Sequence, residues 1–389
     1  MKADEKHMSR ALALARRATP AVHPNPRVGA VLVRGGRVVA AGYHSRYGGP
    51  HAEARVLSKA GPAARGGTLY VTLEPCSTSG KTPPCVEAII AAGIRRVVIG
   101  TRDPNPRHRG RSRRLLEAAG IKVTEGILEE RCRDLIRDFR VWVLRGRPYT
   151  VLKLAESLDG RIATREGDSR WISSPLSRRL VHSLRAASDA VIVGSGTARC
   201  DDPRLDVRLG RSHPGLIKVV VDSRAVLSPA ARVFSTRGPV WVAVGGKAPA
   251  ASIRRLERAG ALVRVFPGPT GRVDLPALWG WLASRGVMRV LVEGGGTLAG
   301  SLVDAALVDE VHFFIAPILI GGDEAVGAVG GEGISRMAGA RRLERLRVSR
   351  IGPDLYVRGR VASSRKKASL TRGGHRERRK AKSTAMTDD

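Results

Sequence analysis

The sequence predicts an α/β protein with two folded domains and a basic C-terminal tail. Short apolar strands alternate with segments of helical periodicity along most of the chain, a pattern that is typical of layered α/β folds. The alternation stops and starts again at Arg147-Pro148-Tyr149. We therefore place a boundary at 146–148 and predict domains over 1–146 and 147–362. The length of 389 residues and the apolar fraction of 42% allow two sizeable cores.

The elements of the first domain are predicted from hydrophobic periodicity and from the residues that end helices and strands. Arg34-Gly35-Gly36 is typical of a hairpin turn, and Gly61-Pro62 is typical of a helix end. In chain order, we predict a helix over 9–18, strands over 28–33 and 38–42, a helix over 52–60, a strand over 68–73, a helix over 86–92, strands over 96–99 and at Val123, and a helix over 129–144.

The second domain contains short apolar strands at wide spacing. The predicted strands cover 150–155, 190–193, 217–222, 240–244 and 289–293. The intervals between them leave room for crossover helices, as parallel βαβ units require. No internal repeat of solenoid period is present in the sequence.

The net charge of +33 invites the hypothesis of a nucleic-acid partner. However, Arg is spread along the whole chain, and part of the excess lies in the tail over 363–389, with Arg365-Lys366-Lys367 and Arg378-Arg379-Lys380. That tail has almost no large apolar residue, so we predict that it is disordered. We predict no nucleic-acid role, and we note that a basic surface also attracts a phosphorylated small substrate.

The sequence also indicates where the protein works. No apolar run approaches the roughly 18 residues that a membrane helix needs, and MKADEKHMSR at the start lacks the apolar core of a secretory signal. Four cysteines in a chain of this length do not form a disulfide scaffold. We predict a cytoplasmic protein with no membrane partner.

One constellation in the first domain predicts a catalytic zinc site. His51 and Glu53 open a predicted helix, Cys76 follows a predicted strand, and Cys85 precedes the next helix. One imidazole and two thiolates suit zinc and leave its fourth tetrahedral position open for water. Zinc deaminases use such a ligand set with a non-ligating Glu as general acid/base, which is the role we assign to Glu53. The alternative is a buried histidine with two core cysteines; we interpret Cys132 and Cys200 as ordinary thiols.

Two strands of the second domain end in glycines. Gly194-Ser195-Gly196 and Gly294-Gly295-Gly296 each lead toward a predicted helix, and such turns let a phosphate approach the backbone N–H groups at a helix start. Neither is a complete dinucleotide fingerprint, and each alone is typical of a simple turn. Two in one domain favour a dinucleotide.

The first domain contains a series of short motifs: Pro24-Asn25-Pro26-Arg27-Val28-Gly29-Ala30, Gly42-Tyr43-His44, His51-Ala52-Glu53, Glu74-Pro75-Cys76, Lys81-Thr82-Pro83-Pro84-Cys85 and Asp103-Pro104-Asn105-Pro106. Together they resemble the bacterial bifunctional riboflavin biosynthesis deaminase/reductase family. The resemblance implies a cytidine-deaminase-like three-layer α/β/α domain that removes an amino group hydrolytically from a diaminopyrimidinone ribosyl phosphate. It also implies that Asn25, His44 and Lys81 contact substrate. The alternative to a substrate contact is that each has an ordinary role, as a turn residue, a solvated side chain or a surface charge.

The second domain resembles the reductase half of the same family. The motifs are 153–163, Trp171-Ile172-Ser173-Ser174, Leu184-Arg185-Ala186, Thr197, Asp201-Asp202-Pro203, Leu205, Arg208 and Glu293-Gly294-Gly295-Gly296. The resemblance implies a dihydrofolate-reductase-like α/β domain that uses NADPH. It places NADPH near Ala155, Trp171, Thr197, Asp201, Ser223, Gly295, Gly296, Thr297, Leu298, Ala299, Gly300 and Ser301. It places substrate near Ser169, Arg185, Leu205, Arg208 and Glu293, with Lys153 and Asp159 as further polar participants.

The chain departs from the family pattern at two places. The family usually has a substrate-holding histidine where this chain has Thr78, followed by Ser79, and the loop over 107–114 is rich in Arg instead of Gly and Lys. A working reductase beside a weakened deaminase is therefore one alternative. An RNA-editing adenosine deaminase predicts two residues between the cysteines, and a non-enzymatic zinc protein predicts loss of Glu53 or of a ligand; neither fits. The resemblance also implies a homo-oligomer, either a dimer or a tetramer.

Overall fold

The computed structural model describes residues 2–106, 108–208, 210, 213 and 215–362, and every element below belongs to this part of the chain. The basic tail predicted over 363–389 lies outside the described residues. The chain forms two larger sheets and one two-stranded sheet. None of the helices in the described residues combines the length and the apolar composition that are needed to cross a membrane.

The first part of the chain forms a five-stranded sheet with the order β2-β1-β3-β4-β5. The hairpin strands β1 and β2 are antiparallel, β1 is antiparallel to β3, and β3, β4 and β5 are parallel. The elements in chain order are α1 (Ala3–Ala15), β1 (Gly29–Arg34), β2 (Arg37–Tyr43), α2 (Ala52–Ala60), β3 (Thr68–Leu73), α3 (Cys85–Ala91), β4 (Arg96–Thr101), α4 (Arg111–Ala118), β5 (Lys122–Glu125), α5 (Glu129–Leu135) and α6 (Arg137–Arg145).

Both faces of this sheet are buried, because side chains alternate along each strand. On β1, Val31 packs with Met8 and Leu12 of α1 on one face. On the other face, Leu32 belongs to a cluster that includes Val56 of α2 and Ile89 of α3. Helices therefore cover the sheet on both sides, and the predicted three-layer α/β/α domain is confirmed.

The second part of the chain forms a nine-stranded sheet with the order β11-β10-β9-β8-β12-β6-β13-β16-β15. The elements in chain order are β6 (Tyr149–Ser157), β7 (Arg161–Ala163), α7 (Pro175–Ala186), β8 (Ala190–Gly194), α8 (Ser195–Asp201), β9 (Ile217–Val221), β10 (Val240–Val244), α9 (Ala250–Arg258), β11 (Ala261–Val265), α10 (Leu275–Ser284), β12 (Arg289–Glu293), α11 (Gly296–Asp304), β13 (Glu310–Ala316), β14 (Val326–Gly327), β15 (Leu343–Ile351) and β16 (Asp354–Val361).

In the order of the sheet, the seven strands β11, β10, β9, β8, β12, β6 and β13 are parallel to one another. The strands β16 and β15 are antiparallel additions at one edge. Apolar clusters lie on both faces: Leu152 and Trp279 belong to one, and Val151 and Leu256 to the other. Parallel sheets are normally covered on both faces, which explains why their strands are continuous apolar runs. The strands β8, β12 and β6 are neighbours in the middle of this sheet, so their carboxyl ends lie side by side. The two glycine turns begin at the ends of β8 and β12.

Several predicted elements need correction. The first helix begins at Ala3 instead of 9, and the helix predicted over 129–144 is two helices separated at Ile136. The helix α4 and the strands β11, β13, β15 and β16 were not predicted. No α-helix forms in the described segment 222–239 between β9 and β10, so this crossover is a loop instead of a helix.

The two sheets are joined by polar and apolar contacts. Nδ1 of His23 lies 2.7 Å from Oδ1 of Asp189, and the indole N–H of Trp142 donates to the carbonyl of Ala283 over 3.1 Å. Met288, which precedes β12, is fully buried in the apolar cluster of the first sheet. The chain passes from α6 to β6 through Gly146, whose positive φ of 62° ends the helix.

Candidate active sites

His51, Cys76 and Cys85 come together at one end of the first sheet. His51 is the N-cap residue of α2, Cys76 follows β3, and Cys85 is the first residue of α3. Nδ1 of His51 lies 3.4 Å from Sγ of Cys76 and 3.3 Å from Sγ of Cys85. All three ligand atoms lie within 4.8 Å of one another, so one metal ion can contact all of them.

This donor set fits a catalytic zinc ion. The backbone N–H of Cys85 donates to Sγ of Cys76 over 3.2 Å, an arrangement that favours a thiolate at Cys76. Hydrogen bonding from Cys85 is the main cause that lowers the pKa of Cys76, and His51 acts in the same direction. Three ligands leave one position of the zinc tetrahedron open, as catalytic sites do and closed structural sites do not.

Glu53 lies in the first turn of α2, directly beside the ligands, and is 3% exposed. Burial is the main cause that raises the pKa of Glu53 to about 7, and the charge of Cys76 acts in the same direction. A carboxyl group whose pKa is near neutrality can both accept and return a proton. The structure therefore places a carboxyl group with a pKa near neutrality beside the three clustered ligand residues.

A cavity of about 190 Å³ adjoins these residues. His44 is almost fully buried in its wall, and its Nδ1 donates to the carbonyl of Pro50 over 3.1 Å. Nε2 of His44 is then an acceptor for the Asn25 amide at 3.2 Å, so the pair can present the second amide proton or the amide oxygen to a ligand. The lining residues are Asn25, Pro26, Val28, His44, His51, Glu53, Leu73, Glu74, Cys76, Thr78, Asp103, Asn105, His108 and Phe139.

Lys81 takes a different position from the other two predicted substrate contacts. It is exposed and is not among the residues that line the cavity. Its ammonium nitrogen lies 4.3 Å from the centroid of the Tyr47 ring, an ordinary cation–π distance. Its contact with substrate stays a prediction.

Glu74 anchors a loop at the rim of this site, a role that its residue type and position in the sequence do not predict. It is 3% exposed, and its carboxylate accepts hydrogen bonds from the backbone N–H groups of Asp103 (3.1 Å), Gly110 (3.0 Å) and Ser112 (3.3 Å). The hydroxyl of Ser112 donates to the same carboxylate over 2.8 Å. Glu74 thus holds the loop between β4 and α4 against the end of β3, beside Cys76. Only its place in the Glu74-Pro75-Cys76 motif hinted at this role.

In the second domain the two glycine turns meet. The backbone N–H of Gly295, just before α11, donates to the hydroxyl of Thr197 in α8 over 3.1 Å. A Cβ on Gly296 would lie 2.4 Å from the carbonyl oxygen of Gly327, and one on Gly300 would lie 2.0 Å from that of Gly330. These two glycines are therefore required for packing, whereas Gly196 has open space on its Cβ side, where a phosphate group can approach.

Three further residues predicted for the second active site contact other residues of the protein. The Ser169 hydroxyl, a predicted substrate contact, donates to Oδ1 of Asp201 over 3.2 Å. Trp171 is 72% exposed and stacks on the Arg178 guanidinium. Ser223 lies past the end of β9, and its hydroxyl accepts from the backbone N–H of Val273 over 3.1 Å. Their contacts with NADPH stay predictions.

Arg185 and Glu293 form a buried ion pair. Nε and Nη2 of Arg185 donate to the two carboxylate oxygens of Glu293 over 2.5 Å and 2.8 Å, and Nη1 donates to the carbonyl of Asp206 over 2.9 Å. The guanidinium of Arg185 is therefore hydrogen-bonded within the protein. Arg208 is more exposed than Arg185, and its Nη2 lies 3.4 Å from Nε2 of His182. Lys153 on β6 is half-buried near the pair, and desolvation lowers its pKa.

Comparison with known proteins assigns both halves of the chain. Residues 148–357 match the family described as "RibD C-terminal domain", which is more than half of the chain. Residues 1–101 match "Cytidine and deoxycytidylate deaminase zinc-binding region", which includes all three zinc ligands.

Full-length relatives give the same result. The chain is 41% identical over 366 residues to the riboflavin biosynthesis protein RibD of Escherichia coli (strain K12), covering 91% of this chain and 98% of that one. It is 40% identical over 356 residues to RibD of Bacillus amyloliquefaciens, covering 91% and 95%. The chain belongs to the RibD family. It is a bifunctional enzyme of riboflavin biosynthesis with a zinc-binding deaminase domain and an NADPH-dependent reductase domain.

Solved RibD structures share the whole architecture. Acinetobacter baumannii RibD superimposes with a TM-score of 0.83 at 34% identity, covering 93% of this chain and 99% of that one. A Thermotoga maritima protein, named as a diaminohydroxyphosphoribosylaminopyrimidine deaminase and 5-amino-6-(5-phosphoribosylamino)uracil reductase, superimposes with a TM-score of 0.80 at 35% identity, covering 92% and 99%. The predicted combination of two folds in one RibD chain is confirmed.

Proposed function

We propose that the chain performs two consecutive reactions, one in each predicted domain, 1–146 and 147–362. In the first, a diaminopyrimidinone ribosyl phosphate loses one amino group as ammonia, and water supplies the new carbonyl oxygen. In the second, the ribosyl carbon of the deaminated product is reduced, giving a ribitylaminouracil phosphate. The observation that carries the proposal is the intact group of His51, Cys76, Cys85 and Glu53 beside a cavity, in a chain that also has the reductase domain.

In the deaminase, His51, Cys76 and Cys85 would hold zinc. Zinc, when bound, makes a water molecule more acidic and therefore more nucleophilic at neutral pH. The Glu53 carboxylate accepts a proton from the attacking water and, as the carboxylic acid, donates it to the departing amino nitrogen. Asn25 and His44 orient the substrate through the amide at the cavity wall.

In the reductase, the glycine turns at Gly196 and Gly295 would hold the phosphates of NADPH near the start of α11. NADPH, when bound, supplies a hydride for the ribosyl carbon. Glu293, held by Arg185, and Lys153 present polar groups at the carboxyl ends of adjacent strands β12 and β6. Arg208 is exposed enough to reach the substrate phosphate, for which a guanidinium is well suited.

The second candidate is a working reductase with a weakened deaminase. Thr78 favours it, because a threonine hydroxyl replaces the imidazole that the family usually places there. The geometry of the zinc ligands and of Glu53 favours two working sites. The two candidates differ in whether the protein deaminates substrate in the absence of NADPH.

Removal of zinc is expected to abolish deamination and to leave the reduction of pre-deaminated substrate unchanged. The metal site and the glycine turns lie on different sheets, so only the first reaction depends on the metal. The measurement is the rate of each reaction after dialysis against a chelator and again after zinc is restored. Recovery of deamination on adding zinc, with zinc bound at one ion per chain, supports the proposal.

Matched cysteine variants test the same site without a chelator. Cys85→Ser is expected to lower the zinc content of the purified protein, whereas Cys200→Ser, at an exposed thiol outside the ligand group, is expected to keep it. Full zinc content in Cys85→Ser, or a reductase that stops when zinc is removed, would contradict the assignment.

We also propose that the enzyme works in the cytoplasm, where the two ligand thiols stay reduced.

We propose further that two copies of the chain associate through β15. The strand β15 is an edge of the large sheet, and its residues are exposed along almost its whole length. Leu346 is 55% exposed and Val348 is 61% exposed. An exposed edge strand has unpaired backbone N–H and C=O groups, and pairing with a second copy would satisfy them and cover Leu346 and Val348.

Leu346→Asp is therefore expected to shift the protein toward the monomer mass of 41.6 kDa. A charge at a buried apolar interface is costly because it loses its hydration. Leu262→Asp provides the control, since Leu262 is 40% exposed on β11 at the opposite edge of the same sheet. Light scattering after gel filtration measures the mass; an unchanged oligomer in Leu346→Asp, or a monomeric unmodified protein, would refute the proposed interface.

A further inference from the structure

One imidazole in the wall of the deaminase cavity belongs to the loop that departs from the family pattern. His108 lines the cavity together with Asn25, His44 and Glu53, although it lies in the Arg-rich segment between β4 and α4. Its Nδ1 lies 3.5 Å from the hydroxyl oxygen of Thr78, the residue that stands in place of the usual histidine. The chain thus has an imidazole next to the position where the family's imidazole is missing.

The loop holds His108 in a defined place. The backbone N–H of His108 donates to the backbone carbonyl of Asn105 over 3.0 Å, and the backbone N–H of Arg111 donates to the backbone carbonyl of His108 over 3.0 Å. On either side of this turn, Glu74 accepts the hydrogen bonds from Asp103 and Gly110 that were described above. Because Glu74 is buried directly before Pro75-Cys76, the same carboxylate fixes His108 relative to the zinc ligands.

The orientation of the substrate follows from the position of the reacting groups. The carbon that loses its amino group must lie beside the zinc ligands and Glu53, so the ribosyl phosphate extends from there toward solvent. His108 is partly exposed, and Arg109 and Arg111 beside it are exposed cations. The charge of this loop favours a phosphate at the rim of the cavity.

We propose that His108 is a substrate-binding residue of the deaminase, which donates a hydrogen bond from Nε2 to the ribosyl phosphate and replaces the imidazole that Thr78 does not provide. This inference rests on the proposed deamination of a ribosyl phosphate. The Thr78 hydroxyl lies on the Nδ1 side of the ring, so a ligand would bind through Nε2. Thr78 is a positioning residue in this arrangement.

The test compares the deaminase kinetics of His108→Ala, of the double variant Thr78→His/His108→Ala and of the unmodified enzyme. His108→Ala is expected to raise KM about tenfold with a smaller change in kcat, the effect of losing one hydrogen bond to a polar ligand. The double variant is expected to recover most of this loss, because an imidazole at 78 reaches the same part of the cavity. Arg114→Ala is the control: Arg114 is exposed on α4, does not line the cavity, and its loss removes one positive charge nearby.

Zinc content and reductase activity are measured in each variant, because a purely structural role for His108 would alter them. An unchanged KM in His108→Ala overturns the inference. A loss of bound zinc in this variant also overturns it, and so does a fall in kcat as large as the rise in KM. If KM in the double variant Thr78→His/His108→Ala stays as high as in His108→Ala, the claim of replacement is wrong. If the unmodified enzyme does not deaminate the substrate at all, the proposed function fails instead, and this outcome is visible before any variant is made.

Discussion

Glu53→Ala is expected to reduce the rate of deamination by about 10²–10⁴-fold, the usual contribution of a general acid/base. Glu53 is the group that we assign to take the proton from water and return it to the leaving nitrogen, so the variant loses both proton transfers. Zinc content should stay near that of the unmodified protein, since Glu53 is not one of the three clustered ligands. Reduction of pre-deaminated substrate should be unchanged, because the residues that we assign to the reductase site lie on the other sheet.

Glu87→Ala is a suitable control for this variant. Glu87 also lies in the first turn of a helix that carries a zinc ligand, α3, but its side chain is exposed. Deamination by Glu87→Ala should match that of the unmodified enzyme. If Glu53→Ala kept its deaminase rate, the acid/base role of Glu53 would be wrong. If it lost both activities while remaining folded, the separation of the two sites would be wrong.

Arg185→Ala is expected to destabilise the second domain by about 3–5 kcal/mol, the usual cost of removing one partner of a buried ion pair. The side chains of Arg185 and Glu293 are 11% and 12% exposed. Burial alone raises the pKa of Glu293, but the charge and hydrogen bonds of Arg185 outweigh it and hold that pKa below its usual value. Without Arg185, the buried carboxylate has to lose its charge or stay unpaired, and reductase kcat/KM should fall as well.

A double variant separates stability from catalysis. Arg185→Met/Glu293→Leu removes both charges, so most of the lost free energy of unfolding should return while reductase activity stays low. Chemical unfolding followed by circular dichroism and the rate of NADPH oxidation measure the two effects. A stable Arg185→Ala protein would show that the pair contributes little, and a double variant with full reductase activity would show that the pair has no catalytic role.

The parts of the fold that depend on local periodicity could be predicted from the sequence. The helix over Ala52–Ala60 and the strand over Thr68–Leu73 have the predicted bounds, because alternating or helical apolar spacing and Gly61 fix them locally. The strand β15 could not be predicted in this way. It is exposed along nearly its whole length and lacks the alternation of a half-buried strand. The helix α4 follows the Arg-rich loop and was missed for a similar reason, since its sequence is mostly polar.

The candidate sites divide in the same way. The zinc ligands and Glu53 could be named because their residue types are rare and their chemistry is specific. The roles of Glu74 and His108 could not, because each depends on contacts between residues about 30 positions apart in the chain. The pairing of Arg185 with Glu293 joins residues 108 positions apart, so sequence alone suggested a substrate contact for each but no bond between them.

The masses of the products formed with and without NADPH test the central claim most directly. Purified protein is given the diaminopyrimidinone ribosyl phosphate in both conditions. The account predicts a deaminated product that accumulates without NADPH, and a product that is both deaminated and reduced when NADPH is present. Unchanged substrate in both samples, with reduction still seen from pre-deaminated substrate, would contradict it and would show that this chain has lost its deaminase.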